Sequence, residues 1–203
     1  MITFEDCYNM PQIEIEYRSM VDKKKNDELL KFLSAHAEKD LGEDDKTTYF
    51  FILPDKLLKV VNNLSKRSAK LVLKLNKIGH GSNFEEIEIP ISQSDVENSA
   101  KMFELLGFTD VQKSFQKRHN FIYSGVEFAI KYSEEWGYHV ELEIVVNSLD
   151  QKPAAEKKIA AIAKELNLKL MTDEELKKFT KEIDDKYRAE RTAKNESRRT
   201  SSQ

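Results

Sequence analysis

Three short segments carry glutamates two residues apart among aliphatic side chains: Ile13-Glu14-Ile15-Glu16-Tyr17-Arg18, Glu86-Ile87-Glu88-Ile89-Pro90-Ile91 and Val140-Glu141-Leu142-Glu143-Ile144. In an extended strand alternate residues face opposite ways, so each segment has a carboxylate face and an apolar face. Other segments bring positive charge at the same period. Lys59 lies between Leu58 and Val60, Lys70 and Lys74 alternate with Leu71, Leu73 and Leu75, Gln116 and Arg118 alternate against Phe115, and Lys131 follows Ile130. A single Glu-x-Glu strand is ordinarily the solvent face of a half-buried sheet. Three are less ordinary, because Glu is a poor strand former and glutamates adjacent across a sheet repel unless a cation lies between them. If the sheet closes, the polar faces can point inward. Carboxylate oxygens suit hard divalent cations such as Mg²⁺ or Mn²⁺, and Lys and Arg suit phosphate oxygens. Such a lumen would hold a polyanion together with its metal.

The elements that must position these residues follow from periodicity. Strands with period two are expected near Gln12–Arg18, Thr47–Leu53, Leu57–Asn62, Ala69–Asn76, Glu85–Ile91, Val111–Arg118, Asn120–Ser124, Val126–Tyr132 and His139–Val146, with turns at Asn62–Ser65 and Gly79–Asn83. Amphipathic helices are expected at four places. One runs from Lys23 to Asp40 and stops at Gly42. A second follows the capping-box pattern of Ser94 and Glu97 and ends at Gly107, a third starts at Pro153, and a fourth follows Thr172 and Glu175. Many short strands without a regular βαβ alternation give an antiparallel α+β fold, and a closed or nearly closed barrel hides their edges.

Composition bounds the function. The 203 residues suit a single domain, taken as 1–190, with the barrel at about 10–148, helices at about 152–188 and a disordered polar tail at 191–203. With 33 Lys+Arg against 36 Asp+Glu the chain has no basic excess, so a nucleic-acid surface is not indicated. The single Cys7 excludes an internal disulfide and a cysteine-based zinc site, and the four histidines lack metal-ligand spacing. No segment approaches the roughly 20 apolar residues of a membrane span, and the N-terminus lacks a signal-peptide pattern, so no membrane partner and a cytoplasmic setting are expected. GxGxxG, GxxxxGK[ST] and GxSxG are all absent, which leaves the usual nucleotide folds without support.

The order of these motifs resembles a family. Glu14-x-Glu16-x-Arg18 is similar to the ExExK signature of the CYTH superfamily, the triphosphate tunnel metalloenzymes. That superfamily includes class IV adenylate cyclases, thiamine triphosphatases and inorganic triphosphatases. From about Met10 to Val146, Leu71-Val72-Leu73-Lys74 resembles its LxxK strand and Glu86-x-Glu88 its second acidic pair. Gln116-Lys117-Arg118 resembles its KxR strand, and Gly137 through Glu141-Leu142-Glu143 its closing strand. Leu106-Gly107-Phe108 is most like the cyclase branch. The resemblance implies a barrel tunnel with Glu14, Glu16, Glu86, Glu88, Glu141 and Glu143 as metal-associated carboxylates, of which Glu14, Glu16 and Glu143 are assigned to catalysis. Arg18, Lys59, Lys74, Arg118 and Lys131 are assigned to phosphate. The cofactor implied is Mg²⁺ or Mn²⁺, the partner is a small triphosphate such as ATP, and a homodimer is allowed.

The first activity implied is cyclisation of ATP to cyclic AMP and pyrophosphate. The alternatives are an inorganic, thiamine or nucleoside triphosphatase, and a polyanion-binding protein without turnover. Four departures from the pattern motivate the last. Arg18 stands where the signature has Lys and cannot serve as a base, Val61 and Gln116 stand where basic residues are typical, and by the same resemblance Lys131 stands at a position usually held by Asp.

Overall fold

The period-two segments form strands in the computed structural model, which describes residues 13–75 and 83–200. In chain order these are β1 (Ile13–Met20), β2 (Lys39–Glu43), β3 (Lys46–Ile52), β4 (Leu57–Asn63), β5 (Ser68–Lys74), β6 (Asn83–Ile91), β7 (Val111–Tyr123), β8 (Val126–Ser133) and β9 (Gly137–Val146). All pairings are antiparallel, in the order β2-β7-β3-β4-β5-β6-β1-β9-β8. A further pairing of β7 with β8 closes the circuit, so eight strands form a ring and β2 is an appendage on β7. The ring closes through the length of β7: Val111–Gln116 bond to β3, and Lys117–Tyr123 bond to β8. Two expected strands, Val111–Arg118 and Asn120–Ser124, are therefore one. The turn expected at Gly79–Asn83 lies outside the described residues at 79–82.

The outer face of the ring is where the apolar residues go. Helix α1 (Lys23–His36) and helix α3 (Lys152–Glu165) cover β1, β7, β8 and β9, enclosing Ile15, Leu33, Phe121, Phe128, Val140, Leu142 and Ile159. Full burial of side chains of this size stabilises by about 1.5–3 kcal/mol each. Helix α2 (Val96–Leu105) places Val96 and Ala100 against Tyr49, Phe51, Val60 and Ala69, which extends the cover over β3, β4 and β5. Because these strands bury one face under helices, their other face turns into the ring.

Local signals decide the helix ends, with two corrections. The Asp22 side chain caps α1 through the Lys25 amide at 2.7 Å, but the helix stops at His36, short of the expected Asp40. Ala37 is already extended, and Lys39–Glu43 pair with Ile122–His119 of β7; Gly42, at φ 78°, serves the bulge in this pairing and not a helix stop. Ser94 does not cap α2. It sits in a 3₁₀ turn at Gln93–Asp95 capped by Ser92, and Glu97 accepts a hydrogen bond from the Tyr49 hydroxyl at 2.6 Å. At the last helix, α4 (Asp173–Thr200), the capping box forms as expected: Thr172 Oγ1 accepts from the Glu175 amide at 3.1 Å, and Glu175 accepts from the Thr172 amide at 2.9 Å.

Helix α4 extends through Thr200, further than an apolar period would carry it. Polar contacts hold the part beyond Tyr187: Arg188 donates two hydrogen bonds to Asp110 at 3.0 and 2.7 Å, and Arg191 reaches the Thr109 carbonyl. This helix lies across one mouth of the ring, where Thr180, Ile183, Asp184 and Tyr187 line the interior. Among the described residues, no helix is long and apolar enough to cross a membrane.

Candidate functional site: a charged tunnel

The ring encloses a cavity of about 640 Å³. Its described lining includes ten carboxylates and nine Lys or Arg side chains, so the lumen is charged throughout and almost balanced. The register sorts these charges into rows. Across β1, β9 and β8, Glu16 lies opposite Glu143, which lies opposite Glu127. One step along, Arg18 lies opposite Glu141, which lies opposite Ala129. Across β7, β8 and β9, Arg118 lies opposite Lys131, which lies opposite His139. Like charges directly opposite repel, so each row depends on what the other provides.

On one side of the lumen carboxylates predominate. Glu14, Glu16 and Glu143 bring one oxygen each to within 4.8 Å of one another. Lys74, on β5, reaches Glu14 at 3.2 Å and Glu16 at 3.4 Å, and also pairs with Glu86, its cross-strand partner. Lys59 is 3.7 Å from the same Glu86. Among the described residues, none makes a hydrogen bond or direct ion pair with Glu143. Burial, with Glu14 and Glu16 close by, pushes the Glu143 carboxyl up to about 8. Burial likewise raises Glu14, which Lys74 only partly offsets. Burial would also raise Glu86, but Lys59 and Lys74 outweigh it and hold that carboxyl at about 2. Lys59 itself is brought down to about 8 by burial and the nearby Lys74. Burial would lower Lys74 too; Glu16, Glu14 and Glu86 prevail and hold it above the ordinary lysine value.

On the other side cations predominate. Glu141 accepts from Arg18 Nε at 3.0 Å, pairs with Lys131, and has Arg118 Nη1 at 3.9 Å. Against the effect of burial, these three cations hold Glu141 well below the usual carboxylate range. Arg18 also pairs with Glu16 and lies over the Trp136 ring, 5.7 Å from its centre. Burial brings the Lys131 ammonium down to about 7 even with Glu141 against it, and brings His139, beside Lys131, down to about 4. His139 is thus a neutral imidazole at neutral pH, with Nδ1 3.1 Å from the Gly137 carbonyl.

All the residues singled out from the sequence line this one cavity: Glu14, Glu16, Arg18, Lys59, Lys74, Glu86, Glu88, Arg118, Lys131, Glu141 and Glu143. They are not equivalent. Glu88 pairs with Lys70 at a half-exposed position, away from the Glu14–Glu16–Glu143 grouping. Val61 and Gln116 line the lumen as well. Several lining residues escaped sequence reasoning. Glu127 shares a strand face with Lys131, and that alternation would have found it. Asp44 sits between two strands, where no period applies, yet it pairs with Lys46 at 2.6 Å, Lys66 at 3.2 Å and Arg118 at 3.3 Å. Asp184 and Tyr187 come from α4: Gln112 donates to Asp184 at 2.7 Å, and Tyr187 donates to Glu135 at 2.7 Å.

A closed antiparallel ring with interleaved carboxylates and cations in its lumen, padded outside by helices, defines a tunnel protein. The CYTH domain family model matches residues 12–176, and the chain belongs to the CYTH family. Solved structures share the fold. The PH1012 protein of Pyrococcus horikoshii OT3 is 25% identical with a TM-score of 0.65, over 80% of this chain and 93% of that one. A candidate adenylate cyclase from Vibrio parahaemolyticus is 15% identical with a TM-score of 0.61, over 82% and 93%. HpAC1 of Hippeastrum, a candidate adenylyl cyclase with a dominant triphosphatase activity, is 17% identical with a TM-score of 0.54, over 78% and 89%. No curated protein sequence is similar enough to count as a match.

Proposed function

We propose that the tunnel binds a triphosphate with Mg²⁺ or Mn²⁺ and attacks it, first as a class IV adenylate cyclase would. The observation that carries this reading is the separation of charge within one lumen. Three carboxylates bring oxygens within 4.8 Å of one another, and Glu143 among them has no directly paired cation among the described residues, while Arg18, Arg118 and Lys131 converge on the single carboxylate of Glu141.

The donor set fits a hard divalent ion. Glu14, Glu16 and Glu143 offer oxygen ligands, and burial with mutual repulsion raises the carboxyls of Glu14 and Glu143, a cost that an added cation relieves. When bound there, the ion supplies neutralisation of charge developing on the phosphoryl oxygens. Arg118, Lys131, Lys59 and Arg18 orient the phosphates by charge-assisted hydrogen bonds, and Lys74 holds the carboxylates in place. Arg18 stays protonated and acts only as a donor. In the cyclase reaction the ribose 3′-oxygen gives up its proton to water and bonds to the α-phosphorus, the bond from that phosphorus to the α,β-bridging oxygen breaks, and pyrophosphate leaves. In a triphosphatase a water oxygen gives up a proton and bonds to the terminal phosphorus, the bond from that phosphorus to its bridging oxygen breaks, the diphosphate leaves, and the attacked phosphorus departs as orthophosphate. The second reading is favoured by the fold shared with HpAC1, for which a dominant triphosphatase activity is described.

Product analysis decides between them. ATP, tripolyphosphate and thiamine triphosphate are each incubated with Mg²⁺ or Mn²⁺, with Glu143→Lys as control. Cyclic AMP and pyrophosphate establish the cyclase, and orthophosphate establishes the hydrolase. Glu143→Lys is expected to lose metal-dependent turnover by at least about a hundredfold while keeping its fold. Full activity in that variant would sink the site assignment. Binding without turnover would make the tunnel a polyanion carrier or sensor.

A further inference from the structure

The two carboxylate-bearing positions of β9 differ in what surrounds them. Glu143 faces Glu16 and Glu127 across its neighbouring strands, whereas Glu141 faces Arg18. Both oxygens of Glu141 are engaged, Oε1 by Arg18 Nε at 3.0 Å and Oε2 by the Lys131 ammonium, with Arg118 Nη1 3.9 Å from Oε2. Lys131 and Glu141 are both buried, at 6% and 8% exposure, so little solvent screens the pair. A divalent ion approaching Glu141 would meet Arg18, Lys131 and Arg118 and would have to displace at least one of them. Glu86 is similarly taken by Lys74 and Lys59, and Glu127 has Arg118 at 3.5 Å.

We propose that Lys131 is a built-in amine partner that removes Glu141 from metal coordination, so that the tunnel takes a single divalent ion, at Glu14, Glu16 and Glu143. Lys131 then has two effects. It sets the metal count at one, and it keeps the Glu141 side of the lumen, with Arg18 and Arg118, for the anion. The inference rests on the metal-binding reading above, and the experiment separates the two.

The full chain, free of substrate, is titrated with Mn²⁺, and free Mn²⁺ is read by electron paramagnetic resonance. One Mn²⁺ per wild-type chain is expected. Lys131→Asp exchanges the cation for a carboxylate beside Glu141 and is expected to bind two. Two ions in the wild-type protein, or one ion at unchanged affinity in Lys131→Asp, would overturn the role of Lys131 while leaving the metal reading intact. No Mn²⁺ binding in the wild-type protein would overturn the metal reading itself, and this inference with it. Folding of Lys131→Asp is checked by circular dichroism with Mn²⁺ present; should it fail to fold, the wild-type count alone decides.

Discussion

Glu143 owes its place to the pairing of β1 with β9, which sets it opposite Glu16, and the consequence is a carboxyl that resists ionisation. Burial, then Glu14 and Glu16, raise it from an ordinary value of 4.5 to about 8 in the folded chain. A group with a raised folded-state value binds more protons folded than unfolded between those two limits. Its stabilising effect is complete below about pH 4.5 and is lost as pH rises towards 8. Glu143 is therefore expected to lower the melting temperature of the metal-free protein in EDTA over this window, against the opposite slopes of His139 below about pH 6.5 and Lys131 above about pH 7. Glu143→Gln, which keeps the shape and removes the ionisation, should remove that contribution and melt at least about 2–4 °C higher at pH 8. Thermal melts from pH 5 to 8.5 check this, and equal slopes for the two proteins would count against a strained Glu143. Mn²⁺ should have the opposite pH dependence, stabilising more strongly as pH rises, because it competes with the proton for the same oxygens.

Among the elements, α4 separates what the sequence made legible from what it did not. The strand faces were readable because one residue in two is aliphatic, as in Ile13-Glu14-Ile15-Glu16, and because burial of Ile13 and Ile15 forces the glutamates to the other side. The start of α4 was readable from Thr172 and Glu175. Its placement over the tunnel mouth was not, since it depends on contacts distant in sequence, such as Tyr187 with Glu135 and Arg188 with Asp110. Strand β2 was illegible for a different reason: Lys39-Asp40-Leu41-Gly42-Glu43 lacks alternation and becomes a strand only through the edge that β7 presents. The cap is testable because Trp136, the chain's single tryptophan, lies under it with Phe179 edge-on at 5.0 Å and His139 at 5.1 Å. Phe179→Ala is expected to loosen the cap at a cost of about 1 kcal/mol or somewhat more, and to increase quenching of Trp136 fluorescence by acrylamide. Unchanged quenching would mean that α4 does not cover this mouth in solution.

For the whole molecule, the decisive quantity is the charge of the lumen. Among the described lining residues, ten carboxylates against nine basic side chains leave no net positive field to draw in a polyanion, although the overall chain charge of −3 alone would not reveal this. The excess of cation is local, at Arg18, Arg118 and Lys131, and the deficit is local, at Glu14, Glu16 and Glu143. A ligand carrying several negative charges must reside beside the first group without repelling the second. A divalent ion among those carboxylates removes the repulsion, so ion and anion should favour each other's binding, and by linkage the coupling must be reciprocal. Calorimetry with tripolyphosphate checks this on the full chain, with free anion concentrations corrected for chelation in solution. Affinity in Mn²⁺ is expected to exceed that in EDTA by at least about fivefold, and the anion should tighten Mn²⁺ binding by the same factor. Equal affinities would mean that the lysines and arginines hold the anion unaided and that the carboxylates of β1 and β9 serve the architecture of the ring alone.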